Sequence, residues 1–315
     1  MTFTIPAQAQ DVEMAEASTS AQPQPALRPL TLPVYLQRPA FKGIAKDTLA
    51  AIDPELRDVQ PQYIRDQLAN LGSSMVQTVC SVKAAPITGA LPKTMPIHVT
   101  DCASEPPTHM LGIYANTPLP NESVGAAAAP KQKVTLFPAH DVVLASYCAN
   151  LPILPRGNDQ GTSTPSPDGV KTALDITLPI IPFCIPSPST FAPLLRFMYT
   201  RDPTALQRTL FPCALPTSHI DIFDSAQEGA AGLRVDFAKR IADTYRGQVL
   251  MRHVMVIQGM WRNVCVLGIE DKAVWDTIDA AWNVMVLAVA IALKDTASMT
   301  AMVGGKERAE ELALL

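Results

Sequence analysis

Proline sets the first constraint on this chain. Its 315 residues include 29 prolines, roughly double the usual share, and each fixes φ and removes a backbone donor. Prolines are therefore expected mainly in loops and near the ends of regular elements. A collagen-like fibre is excluded, because the 15 glycines are ordinary in number and follow no period of three. Proline-punctuated loops around a folded core are expected instead, and 48% hydrophobic residues supply material for one large domain or two small ones.

Charge narrows the choice further. Charged residues make up 17% of the chain and the formal net charge is −4, which excludes a globally basic nucleic-acid binder and a polyanionic tail. No direct nucleic-acid binding is expected. Six cysteines, at 80, 102, 148, 184, 213 and 265, form no C-x-x-C pair and no dense cluster, so reduced thiols are expected rather than a disulfide framework. Residues 1–26 lack both a basic, apolar signal and an Arg-rich presequence face, which points to an intracellular protein, with nucleus and cytoplasm equally open. The longest apolar run, Trp282 to Leu293, is 12 residues and includes Asn283. That is short of the ~20 residues that cross a bilayer, so it reads as a buried helix and no membrane association is expected.

Along the chain, residues 1–30 have the composition of a disordered tail. Residues 31–90 read as an N-terminal helical segment: an extended start is followed by Asp53-Pro54-Glu55, then by Gln60-Pro61 ahead of Tyr63, Ile64, Leu68, Leu71, Met75, Val76 and Val79. That spacing predicts an amphipathic helix over 61–83. Residues 91–215 change period, with strands expected at 97–99, 110–114, 134–137 and 174–181, and helices at 139–148 and 189–200, the latter capped by Ser189. Residues 156–171 read as a flexible loop, in which Thr164-Pro165 and Ser166-Pro167 suit proline-directed kinases. Residues 216–300 form a helical portion, with i+4 steps at Leu233, Phe237, Ile241 and Tyr245, then Val254, Ile257, Trp261 and Val264. Breaks are expected at Gly247 and Gly259, a further helix over 270–294, and a charged tail over 301–315.

Catalytic motifs are missing. There is no G-x-S-x-G, H-E-x-x-H or G-x-G-x-x-G, and Gly304-Gly305-Lys306 is followed by Glu307 where a phosphate loop needs Ser or Thr. The zinc-type candidates Cys102, His109, His140, Cys148, Cys184, Cys213 and His219 never reach paired ligand spacing, so neither cofactor nor metal is expected. Arg234, Lys239, Arg240, Arg246, Arg252 and Arg262 outnumber Asp236 and Asp243 in one stretch. Arg234, Arg240, Arg246 and Arg252 are therefore the candidate anchors for a protein partner, because interaction surfaces concentrate their energy in a few aromatic, Arg or apolar side chains.

Two segments carry more information than any catalytic motif. Phe137-Pro138-Ala139-His140-Asp141-Val142-Val143-Leu144-Ala145 resembles the F-x-A-H-K-x-V-L-A signature of BTB/POZ domains, and Phe191 to Thr200 (FAPLLRFMYT) resembles that family's F-x-x-L-L-x-F-x-Y-T helix end. Phe137, His140, Leu144, Phe191, Leu195 and Tyr199 are the structural signature carried over by this resemblance, with His140 at a strand-helix junction. The wider chain is similar to the clampless-type regulators of basidiomycete sexual development. The carrying residues are Arg38-Pro39-Ala40-Phe41-Lys42-Gly43-Ile44, Pro54-Glu55-Leu56-Arg57-Asp58-Val59, Pro107-Thr108-His109-Met110-Leu111 and Leu178-Pro179-Ile180-Ile181-Pro182.

The resemblance implies an α+β fold in which a BTB/POZ-like central domain, a small sheet with packed helices, is flanked by N-terminal and C-terminal helical segments. It implies a non-enzymatic role in clamp-connection formation and dikaryon growth downstream of mating-type control, through protein partners such as developmental or transcriptional regulators. A homodimer stays open. Two alternatives remain: a BTB-type substrate adaptor for a cullin ubiquitin ligase, and an enzyme without a recognised motif. Asp141 in place of the usual basic residue, and Asn150-Leu151-Pro152 in place of the usual Ser-x-Phe turn, weaken the adaptor alternative.

Overall fold

A computed structural model describes residues 2–3, 30–87, 89–115, 133–152, 154–155, 162–164, 173–303 and 312. The chain divides into two compact units, each discontinuous in sequence: residues 38–211 with 255–278, and residues 1–37 with 212–254 and 279–315. The architecture is mixed α and β. In chain order the elements are β1 (Thr2–Phe3), β2 (Leu30–Thr31), α1 (Lys46–Ile52), α2 (Pro61–Cys80), β3 (Val82–Ala84), β4 (Thr94–Val99), β5 (His109–Tyr114), β6 (Thr135–Ala139), α3 (Asp141–Tyr147), β7 (Thr162–Thr164), β8 (Ala173–Cys184), α4 (Phe191–Thr200), α5 (Thr204–Leu210), α6 (Ala230–Thr244), α7 (Gly247–Leu267), α8 (Lys272–Ala292) and α9 (Thr296–Val303).

The first unit is built on a sheet of order β3-β4-β8-β5-β6, with β7 also paired to β8. Strand β8 organises it. Residues 174–179 pair antiparallel with β4, and residues 180–184 pair parallel with β5 on the other side. The strand is expected to stop at Ile181, yet it runs to Cys184 through Pro182. The reason lies in the alternation of backbone groups. Ile180 N–H donates to Lys93 O on the β4 side, and Ile185 N–H donates to Tyr114 O on the β5 side. Position 182 therefore faces the β4 side beyond the end of that ladder, while position 179 faces the β5 side before that ladder begins. Neither missing proline donor costs a ladder bond.

One apolar cluster against the sheet contains Met95, Ile97, Val99, Met110, Leu178 and Ile180. A second joins Leu49, Ile64 and Ala145 from α1, α2 and α3. Helix α4 buries Phe191, Leu194, Leu195, Phe197, Met198 and Tyr199, and Phe191 meets Phe137 edge-on at 5.4 Å. Leu144, Phe191, Leu195 and Met198, from the two signature segments, are all buried. Helix α2 crosses α4 at Gly72, where a Cβ would lie 2.2 Å from Tyr199 O. Only glycine permits that approach.

Two local expectations are corrected here. Ser189 does not cap a helix: residues Pro188–Thr190 form a 3₁₀ turn, α4 starts at Phe191, and no side chain caps it. Gly259 does not break α7, which runs unbroken from Gly247 to Leu267. Its lack of a side chain serves packing instead, since a Cβ there would lie 2.6 Å from Ser187 Oγ. The neighbouring Asn263 is fully buried and holds the same turn. Its Oδ1 accepts from Ser187 N–H at 2.9 Å, and its Nδ2 donates to Ser187 O at 2.7 Å and Thr190 Oγ1 at 2.9 Å.

The second unit takes α6, the first turns of α7, the later turns of α8, and α9. Val235, Phe237, Ala238 and Ile241 of α6 are buried, as are Leu250 and Val254 of α7. Trp282 is buried and its indole N–H donates to Pro33 O at 3.1 Å. The length reading of the apolar run needs amendment, because α8 as a whole, 21 residues, is long and apolar enough to cross a membrane. Of its most apolar window 83% is buried in protein, as expected for a core helix that is apolar all round. The N-terminal tail reading over 4–29 and the charged tail at 304–311 lie outside the described residues.

Candidate interaction surface

The two signature segments meet through His140 and Tyr199. His140 sits between β6 and α3, and its backbone N–H donates to Tyr199 Oη at 3.0 Å. Its ring Nε2 lies 3.0 Å from Glu105 O. A carbonyl only accepts, so Nε2 carries the proton. Burial lowers the pKa of the ring, which leaves Nδ1 as a bare acceptor for the Tyr199 hydroxyl at 2.9 Å. The phenol both accepts and donates, and burial raises its own pKa. Each group is consumed by the other, so the pair is a fastening rather than a poised acid and base.

The neighbouring polar groups are occupied in the same way. Thr108 Oγ1 accepts from Asp141 N–H at 2.9 Å and meets His109 Nδ1 at 2.8 Å, while His109 Nε2 donates to Pro155 O at 2.8 Å. Cys148 is buried and its thiol is pushed up to about 12 by burial, which keeps it protonated and unreactive. Among the described residues no group of three or more His, Cys, Asp and Glu side chains is placed to hold a metal ion.

A buried ion pair escaped the reading from sequence. Arg65 of α2 approaches Asp271 at 3.8 Å, with side chains 11% and 5% exposed, and its guanidinium lies 5.1 Å from the centre of the Tyr147 ring. Asp271 also caps α8 by accepting from Ala273 N–H at 3.0 Å. Among the described residues the buried Tyr147 hydroxyl has no hydrogen-bond partner. An acid just ahead of Lys272 was the available sequence signal for the cap. Nothing in the local pattern links it to Arg65, some two hundred residues earlier.

Of the four candidate arginines, Arg240, Arg246 and Arg252 are exposed, with Arg240 lying 4.9 Å from the centre of the Phe237 ring. Arg234 is half-buried and committed to its own unit, donating from Nε to Ile222 O at 2.7 Å and from an Nη to Asp224 O at 3.4 Å. Through these two carbonyls it fastens the loop before α6. Within the expected loop at 156–171, Thr164 lies in β7 opposite Ala173. Ser166 lies outside the described residues.

The sheet-bearing unit also carries an open apolar groove of about 400 Å³. Its walls come from the end of α2, β6, α4 and α5, with Leu195 and Tyr199 among its lining and Arg196 as its one charged residue. The signature segments thus lead to a surface as well as to a core.

The model of the Clampless protein 1 N-terminal domain matches residues 39–186, and that of the Clampless protein 1 C-terminal domain matches residues 204–312. Clampless protein 1 from two strains of Cryptococcus neoformans var. neoformans serotype D is 29% identical over 133 residues, covering 42% of this chain and 23% of the relative. The chain thus aligns with under a quarter of the length of those curated relatives. No solved structure matches it significantly. With both domains matched in order over most of its length, the chain belongs to the Clampless protein 1 family.

Proposed function

We propose that this protein is a non-enzymatic, intracellular regulator of fungal sexual development, acting through protein contacts in clamp-connection formation and dikaryon growth, with a BTB/POZ-like module at its centre. The observation that carries the reading is family membership with both Clampless domains present in order. The residue chemistry supports it, because the polar side-chain atoms of the buried His140 and Tyr199 are taken up by each other and by Glu105 O, while Arg240, Arg246 and Arg252 are exposed. Exposed arginines give an interface charge complementarity and forked hydrogen bonding at low desolvation cost.

The test is complementation of a deletion in a mating-competent strain. Loss of the gene should abolish clamp connections, and the unaltered gene should restore them. A variant carrying Arg240→Glu, Arg246→Glu and Arg252→Glu should fail to restore them at full abundance with its thermal transition in place. Normal clamps in the deletion strain would refute the developmental role, and normal clamps with the charge-reversed variant would refute the arginine surface.

A further inference from the structure

We propose that the groove between α2, β6, α4 and α5 is a docking site for an acidic, amphipathic peptide segment of a partner protein, whose apolar side chains enter the groove and whose carboxylate meets Arg196. The proposal rests on the reading of this chain as a protein that works through contacts, and it adds a place and a partner chemistry.

Three observations point there. The first is composition: Val76, Val79, Phe137, Leu195 and Tyr199 give the groove apolar walls around a volume of about 400 Å³. The second is charge. Arg196 is exposed at the groove and makes no ion pair within 4 Å among the described residues. Arg208 of α5 is also exposed, and both arginines act on Asp202, whose carboxylate already accepts from Thr204 N–H and Oγ1. Two cations thus share the influence of one carboxylate, which leaves a positive charge for an anion to complement. The third is rigidity. Tyr199 is pinned by His140, and α2 is held against α4 at Gly72, so the floor is formed before anything binds, which lowers the ordering cost of association.

The occupant follows from the shape. A groove open along one side would leave much of a small molecule in water, whereas a helix or extended segment buries one face and keeps the other solvated. Apolar anchors at helical spacing with an Asp or Glu beside them satisfy both the walls and Arg196.

The experiment pans a displayed library of random 16-residue peptides on the full-length protein, then measures recovered peptides, fluorescently labelled, by anisotropy. Support is a set of peptides enriched in Asp or Glu beside paired apolar residues, binding at least tenfold more weakly to Arg196→Glu and to the groove-filling Ala192→Trp, with both variants melting like the parent. Recovery of no peptides, of peptides without acidic enrichment, or of peptides indifferent to both variants would overturn it. So would saturable binding of dodecanoate that is lost in Ala192→Trp while no peptide binds, which would make the groove a lipid site. Neither variant touches Arg240, Arg246 or Arg252, so a failure here leaves the complementation test of the developmental role standing on its own.

Discussion

Removing one oxygen atom from each of two buried tyrosines should move stability in opposite directions. In Tyr199 the hydroxyl accepts from His140 N–H at 3.0 Å and donates to His140 Nδ1 at 2.9 Å. Tyr199→Phe strands both groups in a buried site, and a stranded polar group costs ~1–3 kcal/mol. Less the benefit of no longer burying a hydroxyl, the expected loss is about 2–4 kcal/mol. In Tyr147 the hydroxyl has no partner among the described residues, so Tyr147→Phe removes an uncompensated burial. The ring contacts survive, edge-on to Phe197 at 6.1 Å and beneath Arg65 at 5.1 Å. Stability should therefore rise by about 1 kcal/mol. Urea unfolding followed by circular dichroism, with hydrogen exchange of α3 and α4 as a local readout, measures both. A Tyr147→Phe protein less stable than its parent, or a Tyr199→Phe protein as stable as its parent, would refute the assignment of these hydroxyls.

Three further outcomes follow from particular contacts. Gly72→Ala should destabilise by about 2 kcal/mol or more in urea titration, although alanine is the better helix former, because its Cβ would meet Tyr199 O at 2.2 Å; at Gly232 of α6, where nothing lies within 4 Å, the same change should be neutral or gain up to about 1 kcal/mol. His140 has a folded pKa below its ordinary 6.5, so the unfolded chain takes up the proton first as pH falls. Its contribution is intact above about 6.5 and is lost as pH drops toward the folded value, by at most ~1.4 kcal/mol per pH unit. A His140→Gln protein, although less stable overall, should show a flatter dependence of stability on pH in that window. Arg65→Met should cost about 3 kcal/mol in the same urea titration, because it leaves the buried Asp271 carboxylate without its cation.

How much was legible from sequence depends on whether an element is decided locally. All 29 prolines lie at or before position 216, so the later helices are limited by glycine and polar residues alone. Helix α8, expected over 270–294, runs from Lys272 to Ala292. Helix α2 likewise starts at Pro61, where a proline in the first turn costs no hydrogen bond. Strands β4, β5 and β6 lie where β-rich runs sit between turn residues. What failed was decided at a distance. Gly259 reads as a helix break until Ser187 is known to press against it. Pro182 reads as a strand end until the partner ladders of β8 are known to stop on opposite sides of it. The groove at Arg196 joins residues from four elements, and no window of sequence contains it.

The same distinction decides how mutant phenotypes in this family should be read. Five polar side chains of this chain, His140, Tyr199, His109, Asn263 and Asp271, are buried and hydrogen-bonded. Their substitution acts first on folding. A loss of ~1–2 kcal/mol can change cellular abundance several-fold, so a developmental defect from His140 or Tyr199 would follow from depletion with no chemistry at either side chain. Arg196, Arg240, Arg246 and Arg252 are exposed, and their charge reversal should leave abundance in place. A screen that records protein level beside clamp formation therefore separates the two classes. Defects that scale with abundance belong to the fastenings, and defects at full abundance identify the contact surfaces. A buried polar residue whose conservative variant abolished clamps at full abundance would break this partition and would require chemistry at that side chain.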